Sequence, residues 1–179
     1  MSSYCPGEIL ISREKISCRV RELAVEIEKD FDGEPLLFIG VLKGSVIFLS
    51  DLARCLNSKV PVELDFLAVS SYGSSTKSSG VVKITKDLDE EITGRKVLIV
   101  EDIVDTGLTL HYLTSILGER SPKEIRICSL LDKPERRQVK IDINYRGFEI
   151  PDEFVVGYGL DFSGRWRNLP DIHVLRTTS

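Results

Sequence analysis

Strand-like and helix-like segments that alternate along this chain predict an α/β fold with a mainly parallel central sheet and helices on both faces. Three observations carry that reading. The runs LLFIGVL at 36–42 and VLIV at 97–100 are continuously aliphatic or β-branched, as strands buried on both sides must be. Between such runs, apolar residues recur three and four apart, the period of an amphipathic helix. The last third changes character. Short strand-like pieces between Tyr145 and Leu160 are broken by Gly147, Pro151, Gly157 and Gly159, and no long helix follows. This stretch reads as a small cap formed largely by residues 145–179, within one domain spanning 1–179.

Each element has a local reason. Ile16, Val20, Leu23 and Ile27 make one stripe on a helix that Ser12 can cap. Pro35 precedes the strand LLFIGVL, and Lys43-Gly44 opens a second helix carrying Val46, Leu49, Leu52, Ala53 and Leu56. Pro61 precedes the strand ELDFLAVSSY. A polar tract, Gly73 to Gly80, separates it from the strand VVKITKDL. A third helix holds Leu110, Leu113, Ile116 and Leu117 and ends at Gly118, before the strand EIRICSLL. In parallel sheets of this kind, ligands bind beyond the carboxyl ends of the strands.

The segment from Val97 to Leu110, VLIVEDIVDTGLTL, is the richest in chemistry. Its apolar run is followed by two adjacent carboxylates, Glu101 and Asp102, expected where the strand surfaces. Asp105-Thr106-Gly107-Leu108-Thr109 then leads into a helix. An acidic pair suits vicinal hydroxyls; loop amides and threonine hydroxyls at a helix N-terminus suit a phosphate. Taken singly, Asp, Thr and Gly here could be cap and turn residues. The contiguity of pair and loop favours a grip on a sugar phosphate.

This segment resembles the 5-phosphoribosyl-1-pyrophosphate (PRPP) motif of the type I phosphoribosyltransferases. LLDKPERR, FVVGYGLDFSGRWRNLP, VLKGS near residue 43 and LDFLAVSSYGSSTKSSG across 64–80 are similar to the 6-oxopurine members, the hypoxanthine-guanine phosphoribosyltransferases, in the same order. The resemblance implies Mg2+-dependent transfer of phosphoribose from PRPP to purine N9. The products are IMP from hypoxanthine or GMP from guanine, with pyrophosphate; xanthine stays open as a third base.

The resemblance and side-chain chemistry together assign the candidate residues. Glu101 and Asp102 are expected to meet the ribose hydroxyls directly or through hydrated Mg2+. Ile103, Val104, Asp105, Thr106, Gly107, Leu108 and Thr109 form the loop for the 5′-phosphate. Asp105 is also the candidate general base or proton acceptor at purine N7. Lys133 is assigned to the purine O6, because an ammonium donates but cannot accept and so disfavours a 6-amino group. Phe154 would stack on the base, and the main chain of Val155 would meet its pyrimidine edge. Asp161, beside the base, would hold Mg2+, and Arg167 would bind pyrophosphate with its planar fork. Lys43 and Gly44 match the family's pyrophosphate loop, where the peptide before the lysine is often cis. Ser71 and Tyr72 lie at the hinge of the 73–80 tract, which the family uses as a lid. The chain departs from the family in Phe162, where a tyrosine is common, and in the following Ser163-Gly164-Arg165-Trp166. His111 and His173 match no catalytic pattern.

The bulk properties set limits. The 179 residues carry 42% hydrophobic and 29% charged side chains, enough for a real core in one domain. A net charge of −4 and a pI near 5.3 argue against an extended nucleic-acid surface. That weighs against a PRPP-sensing regulator that binds RNA or DNA. Lys133 and FVVGYGLD weigh against adenine or orotate as the base. Cys5, Cys18, Cys55 and Cys128 are scattered, form no C-x-x-C pair, and read as reduced thiols, with Cys128 a small buried residue. No secretory signal is apparent and no apolar run approaches a membrane span. A cytoplasmic protein, without membrane or nucleic-acid partners and assembled as a homodimer or homotetramer, is expected.

Overall fold

The computed structural model describes residues 3–57, 59–71 and 82–178. The expected lid, from Tyr72 through 73–80, lies outside the described residues. The chain runs β1 (Ser3–Ile11), α1 (Arg13–Phe31), β2 (Leu36–Leu42), α2 (Val46–Cys55), β3 (Val62–Ser71), β4 (Val82–Lys86), β5 (Lys96–Val104), α3 (Leu108–Gly118) and β6 (Glu124–Asp132). A single 3-10 turn, Pro134–Arg136, precedes β7 (Tyr145–Glu149), β8 (Val155–Val156) and β9 (Ile172–Thr178). The expected α/β class holds. Among the described residues, a six-stranded sheet has the order β4-β3-β2-β5-β6-β7, with all neighbours parallel except the β3–β4 pair. A three-stranded antiparallel sheet, β1-β9-β8, forms the cap.

The strand period of two explains why both faces of the large sheet need cover. Leu36 and Phe38 of β2, Leu98 and Val100 of β5, and Cys128 and Leu130 of β6 face one core with α1 and α2. The intervening Leu37, Ile39, Val97, Ile99 and Ile127 face a second core against α3. Ser12 caps α1, its hydroxyl accepting from the Lys15 amide at 3.5 Å, and the stripe Ile16, Val20, Leu23 and Ile27 is fully buried. All four cysteines are free, and burial at Cys128 pushes its thiol pKa up. Among the described residues, no helix is long and apolar enough to cross a membrane.

The cap differs from its expected extent at both ends. β7 does not belong to it: Tyr145–Glu149 pairs parallel to β6 and completes the edge of the large sheet. The cap instead recruits β1 from the other end of the chain, with Tyr4 opposite Thr177 and Cys5 opposite Arg176. Two short strands gain little as an isolated ribbon, and a third strand supplies the missing ladder.

Candidate active site

β5 passes through the centre of the large sheet and delivers the acidic pair. The pair does not sit beyond the strand, as expected from the loss of apolar pattern. β5 continues through Glu101, Asp102 and Ile103 to Val104, and Glu101 stands opposite Ser129 of β6. Glu101 is buried, only 7% exposed. Burial raises its pKa well above the ordinary carboxylate range, and the neighbouring Asp102 charge adds to the rise. Asp102 is raised from 3.8 to about 6, chiefly by desolvation, although the Ile103 amide donates to its carboxylate at 2.9 Å. A cation brought to this pair would meet two carboxyls whose ionised forms burial disfavours.

The loop after β2 packs directly on Asp102. A Cβ at Gly44 would stand 1.7 Å from Asp102 Oδ2, so only glycine allows this approach. The Leu42–Lys43 peptide is cis. Lys43 is exposed, whereas Ser45 is buried and donates to the Val41 carbonyl at 2.7 Å.

Beyond Val104 the chain turns into α3. Gly107 adopts φ +83°, a conformation that opens the turn without a side-chain penalty. No side chain caps α3 at Gly107. The Thr106 hydroxyl accepts from the Leu108 amide at 3.3 Å, while the His111 amide donates to the Gly107 carbonyl at 2.9 Å. First-turn amides have no partners within a helix, which makes this end suited to an anion. A concavity of about 90 Å³ is lined by Glu101, Ile103, Val104, Asp105, Thr106, Gly107, Thr109 and Leu110. A separate cavity of about 600 Å³ lies elsewhere, between α1, α2 and Asn168–Pro170, and is lined by none of the candidate site residues.

The end of β6 supplies the second half. Lys133 is 6% exposed, and its amide donates to the Val104 carbonyl at 2.9 Å, tying this turn to the end of β5. Its ammonium lies 3.8 Å from Asp152 Oδ1. Arg136 bridges onward, 3.3 Å from the same Asp152 oxygen and 2.7 Å from Asp105 Oδ1. The Arg136–Asp105 contact lacks hydrogen-bond alignment, so it is an ion pair only. Segment 136–139 also lies over the loop, with the Gln138 amide donating to the Thr106 carbonyl at 2.9 Å. Arg136 and Asp152 were not singled out from the sequence. The adjacent arginines of PERR were the available signal, but nothing in the sequence shows which carboxylates they meet.

The cap carries the rest. Phe154 is 53% exposed beside β8, and its carbonyl accepts from the Leu175 amide at 2.7 Å. Val155 is buried within β8. Arg167 donates to the Gly159 carbonyl at 2.6 Å and pairs with Asp161 at 2.5 Å. The other Asp161 oxygen accepts from the Gly164 amide at 2.7 Å. Both Asp161 oxygens are thus engaged within the cap. Ser71 ends β3 on the far side of β2, and Tyr72 lies outside the described residues. His173 Nδ1 donates to the Gly7 carbonyl, 3.0 Å away in the cap, and His111 is exposed on α3.

Residues 8–163 match the phosphoribosyl transferase domain family. A hypoxanthine-guanine phosphoribosyltransferase of Mycobacterium avium is 52% identical over 179 aligned positions, covering 95% of this chain and 87% of that protein. The Bacillus subtilis protein of the same name is 50% identical, covering 94% of this chain and 93% of its own length. The crystal structure of a hypoxanthine-guanine phosphoribosyltransferase from Bacillus anthracis superposes with a TM-score of 0.91 at 47% identity, covering 97% of this chain and 99% of that one. With the acidic pair, the loop and the helix on one strand end, these likenesses lead to one conclusion: the chain belongs to the phosphoribosyl transferase family and, within it, to the hypoxanthine-guanine phosphoribosyltransferases.

Proposed function

We propose that the protein transfers 5-phosphoribose from PRPP to N9 of hypoxanthine or guanine, giving IMP or GMP and pyrophosphate, with xanthine open as a third base. The carrying observation is the Lys133 amide bonded to the Val104 carbonyl, which ties the turn bearing a buried lysine to the strand end that leads into the loop from Asp105 to Thr109. In this reading the loop from Asp105 to Thr109 holds the 5′-phosphate, and Glu101 and Asp102 address the ribose hydroxyls. Lys43, Gly44 and Arg167 take the pyrophosphate. Lys133 donates to O6, Phe154 stacks on the ring, and the Val155 main chain meets the pyrimidine edge.

In the reaction, the bond from C1′ to the pyrophosphate oxygen breaks and a bond from N9 to C1′ forms. Asp105, at the loop entrance, takes the N7 proton of the N7–H purine tautomer as its unprotonated N9 bonds to C1′, and pyrophosphate leaves with the electron pair of the broken C1′–O bond. Arg136 must give up its ion pair with Asp105 for that to happen, and Asp152 offers it an alternative partner.

Mg2+ fits this residue set in a particular way. Among the described residues, no group of three metal-ligating side chains is gathered. Glu101 and Asp102 are nevertheless two hard donors that burial leaves short of countercharge. Mg2+ commonly binds through one or two carboxylates plus substrate phosphates, so its other ligands would come from PRPP and water. Asp161 could join only by loosening its contacts with Arg167 and Gly164. Bound there, the ion would offset the charge of the departing pyrophosphate.

A cytoplasmic homodimer or homotetramer without nucleic-acid or membrane partners completes the proposal; the net charge of −4 supports the exclusion of nucleic acid. Incubation with PRPP, Mg2+ and each base in turn tests it. IMP and GMP should form from hypoxanthine and guanine, and AMP should not form from adenine. Nucleotide from adenine or orotate alone would refute the assignment of the base.

A further inference from the structure

Behind Phe154 the cap holds a run of aromatic rings that the proposed mechanism does not use. Phe162 meets Phe154 edge-to-face at a centroid distance of 5.4 Å and an interplanar angle of 90°. On its other sides Phe162 touches Tyr4 at 4.6 Å and stacks with Trp166 at 6.3 Å, tilted by 15°. Tyr4 comes from β1 at the opposite end of the chain and is held by its pairing with Thr177 of β9. The edge-to-face pair with Phe154 and the stacked pair with Trp166 are favoured arrangements for aromatic quadrupoles, while Tyr4 packs tilted at 49°.

The backbone that presents these rings is unusual. Phe162 and Arg165 exchange both backbone hydrogen bonds around the two-residue turn Ser163-Gly164, with φ +52° and +78°. That is the primed-turn pattern of a tight hairpin. Trp166 follows at φ +71°, a conformation disfavoured for bulky residues and kept only where the surroundings over-determine it. In that conformation its ring stacks on Phe162 and its carbonyl accepts from the Leu169 amide at 3.2 Å. Phe162 occupies a position where the resembling family commonly has tyrosine. The missing hydroxyl lets the ring sit among other aromatic rings without a polar group to satisfy.

We propose that Tyr4, Phe162 and Trp166 are positioning residues for the purine, because together they brace Phe154 and fix the ring plane on which the base stacks. An exposed phenylalanine has rotamer freedom that base binding must remove, and a braced one is already ordered. The N-terminal strand thereby becomes part of the purine site, although it lies far in sequence from every motif that names that site. The inference rests on the proposed function, since Phe154 must be the stacking face.

The test uses full-length wild type, Phe154→Ala, Phe162→Leu, Tyr4→Leu and Tyr4→Phe. Steady-state constants are measured for hypoxanthine and PRPP separately. Trp166 is the single tryptophan of the chain, so its emission during titration with GMP is an unmixed signal. Phe162→Leu and Tyr4→Leu should raise the KM for hypoxanthine roughly 3- to 10-fold and leave that for PRPP unchanged. Tyr4→Phe should behave as wild type, since the ring and not the hydroxyl does the bracing. GMP should change Trp166 emission in wild type, and Phe162→Leu should abolish the response. An unchanged hypoxanthine KM in Phe162→Leu and Tyr4→Leu, a parallel rise for PRPP, or no emission change in wild type would overturn the inference. If Phe154→Ala alone weakens hypoxanthine, the functional reading survives and the bracing role falls. If wild type forms no IMP, both fall together.

Discussion

Asp105 illustrates how one side chain changes meaning with its surroundings. In the sequence it opens a loop and could be no more than a turn residue. In the fold it stands at the rim of the phosphate concavity, ion-paired with Arg136, which in turn reaches Asp152 beside Lys133. Under the proposed function, that chain of charges links the loop that holds the phosphate to the side that binds the purine. If the Asp105 carboxylate acts mainly as the purine loses its proton, Asp105→Asn should lower kcat by about 10²- to 10⁴-fold, the usual range for general-base groups. PRPP binding, followed by calorimetry, should remain close to wild type. A kcat near wild type would remove Asp105 from the chemistry. Lys133 and Asp105 were legible from the sequence because each sits in a motif of fixed spacing. Arg136 and Asp152 were not, because their meeting depends on how the 134–152 segment folds back over the ends of β5 and β6.

At the scale of elements, β5 sets the electrostatics of the site. A strand that was expected to end at its apolar run continues to Val104 and so carries both acids within the sheet, since ladder pairing with β6 persists through Val104. Sequence patterning misses such an extension because charged residues inside a buried strand contradict the apolar period that defines it. The consequence is measurable. Asp102 holds its proton more tightly folded than unfolded, with a pKa near 6 against 3.8. Its stabilising contribution is therefore complete below about pH 4 and is lost as pH rises through about 6. In thermal melts of the ligand-free protein with chelator present, Asp102→Asn should gain in Tm relative to wild type as pH increases across that window. A difference between the two proteins that stays flat from about pH 4 to pH 7 would contradict the burial assigned to this carboxyl. β1 was equally hidden from sequence reading. Its partner β9 lies at the opposite end of the chain, and no local period announces a pairing of that range.

Across the whole molecule, the proposed function divides labour between neighbouring strand ends. β5 and the start of α3 offer the acidic pair and the anion loop, β6 offers Lys133, and the cap offers Phe154, Val155 and Arg167. The α/β class, the order of the central elements and the turn from β5 into α3 followed from apolar periods and one motif. The cap followed only in outline, since short strands rich in glycine and proline have weak local signals and take their structure from long-range pairing. The division of labour implies that the purine and PRPP sides can be weakened independently, although the Lys133 amide joins them. Kinetics of Lys133→Ala test this most directly, with hypoxanthine and PRPP varied in separate series. Loss of the charge-assisted bond to O6 should raise the KM for hypoxanthine roughly 10-fold or more and leave that for PRPP nearly unchanged. An unaltered hypoxanthine KM, or equal losses on both substrates, would contradict the assignment of β6 to the base and β5 to the phosphoribose.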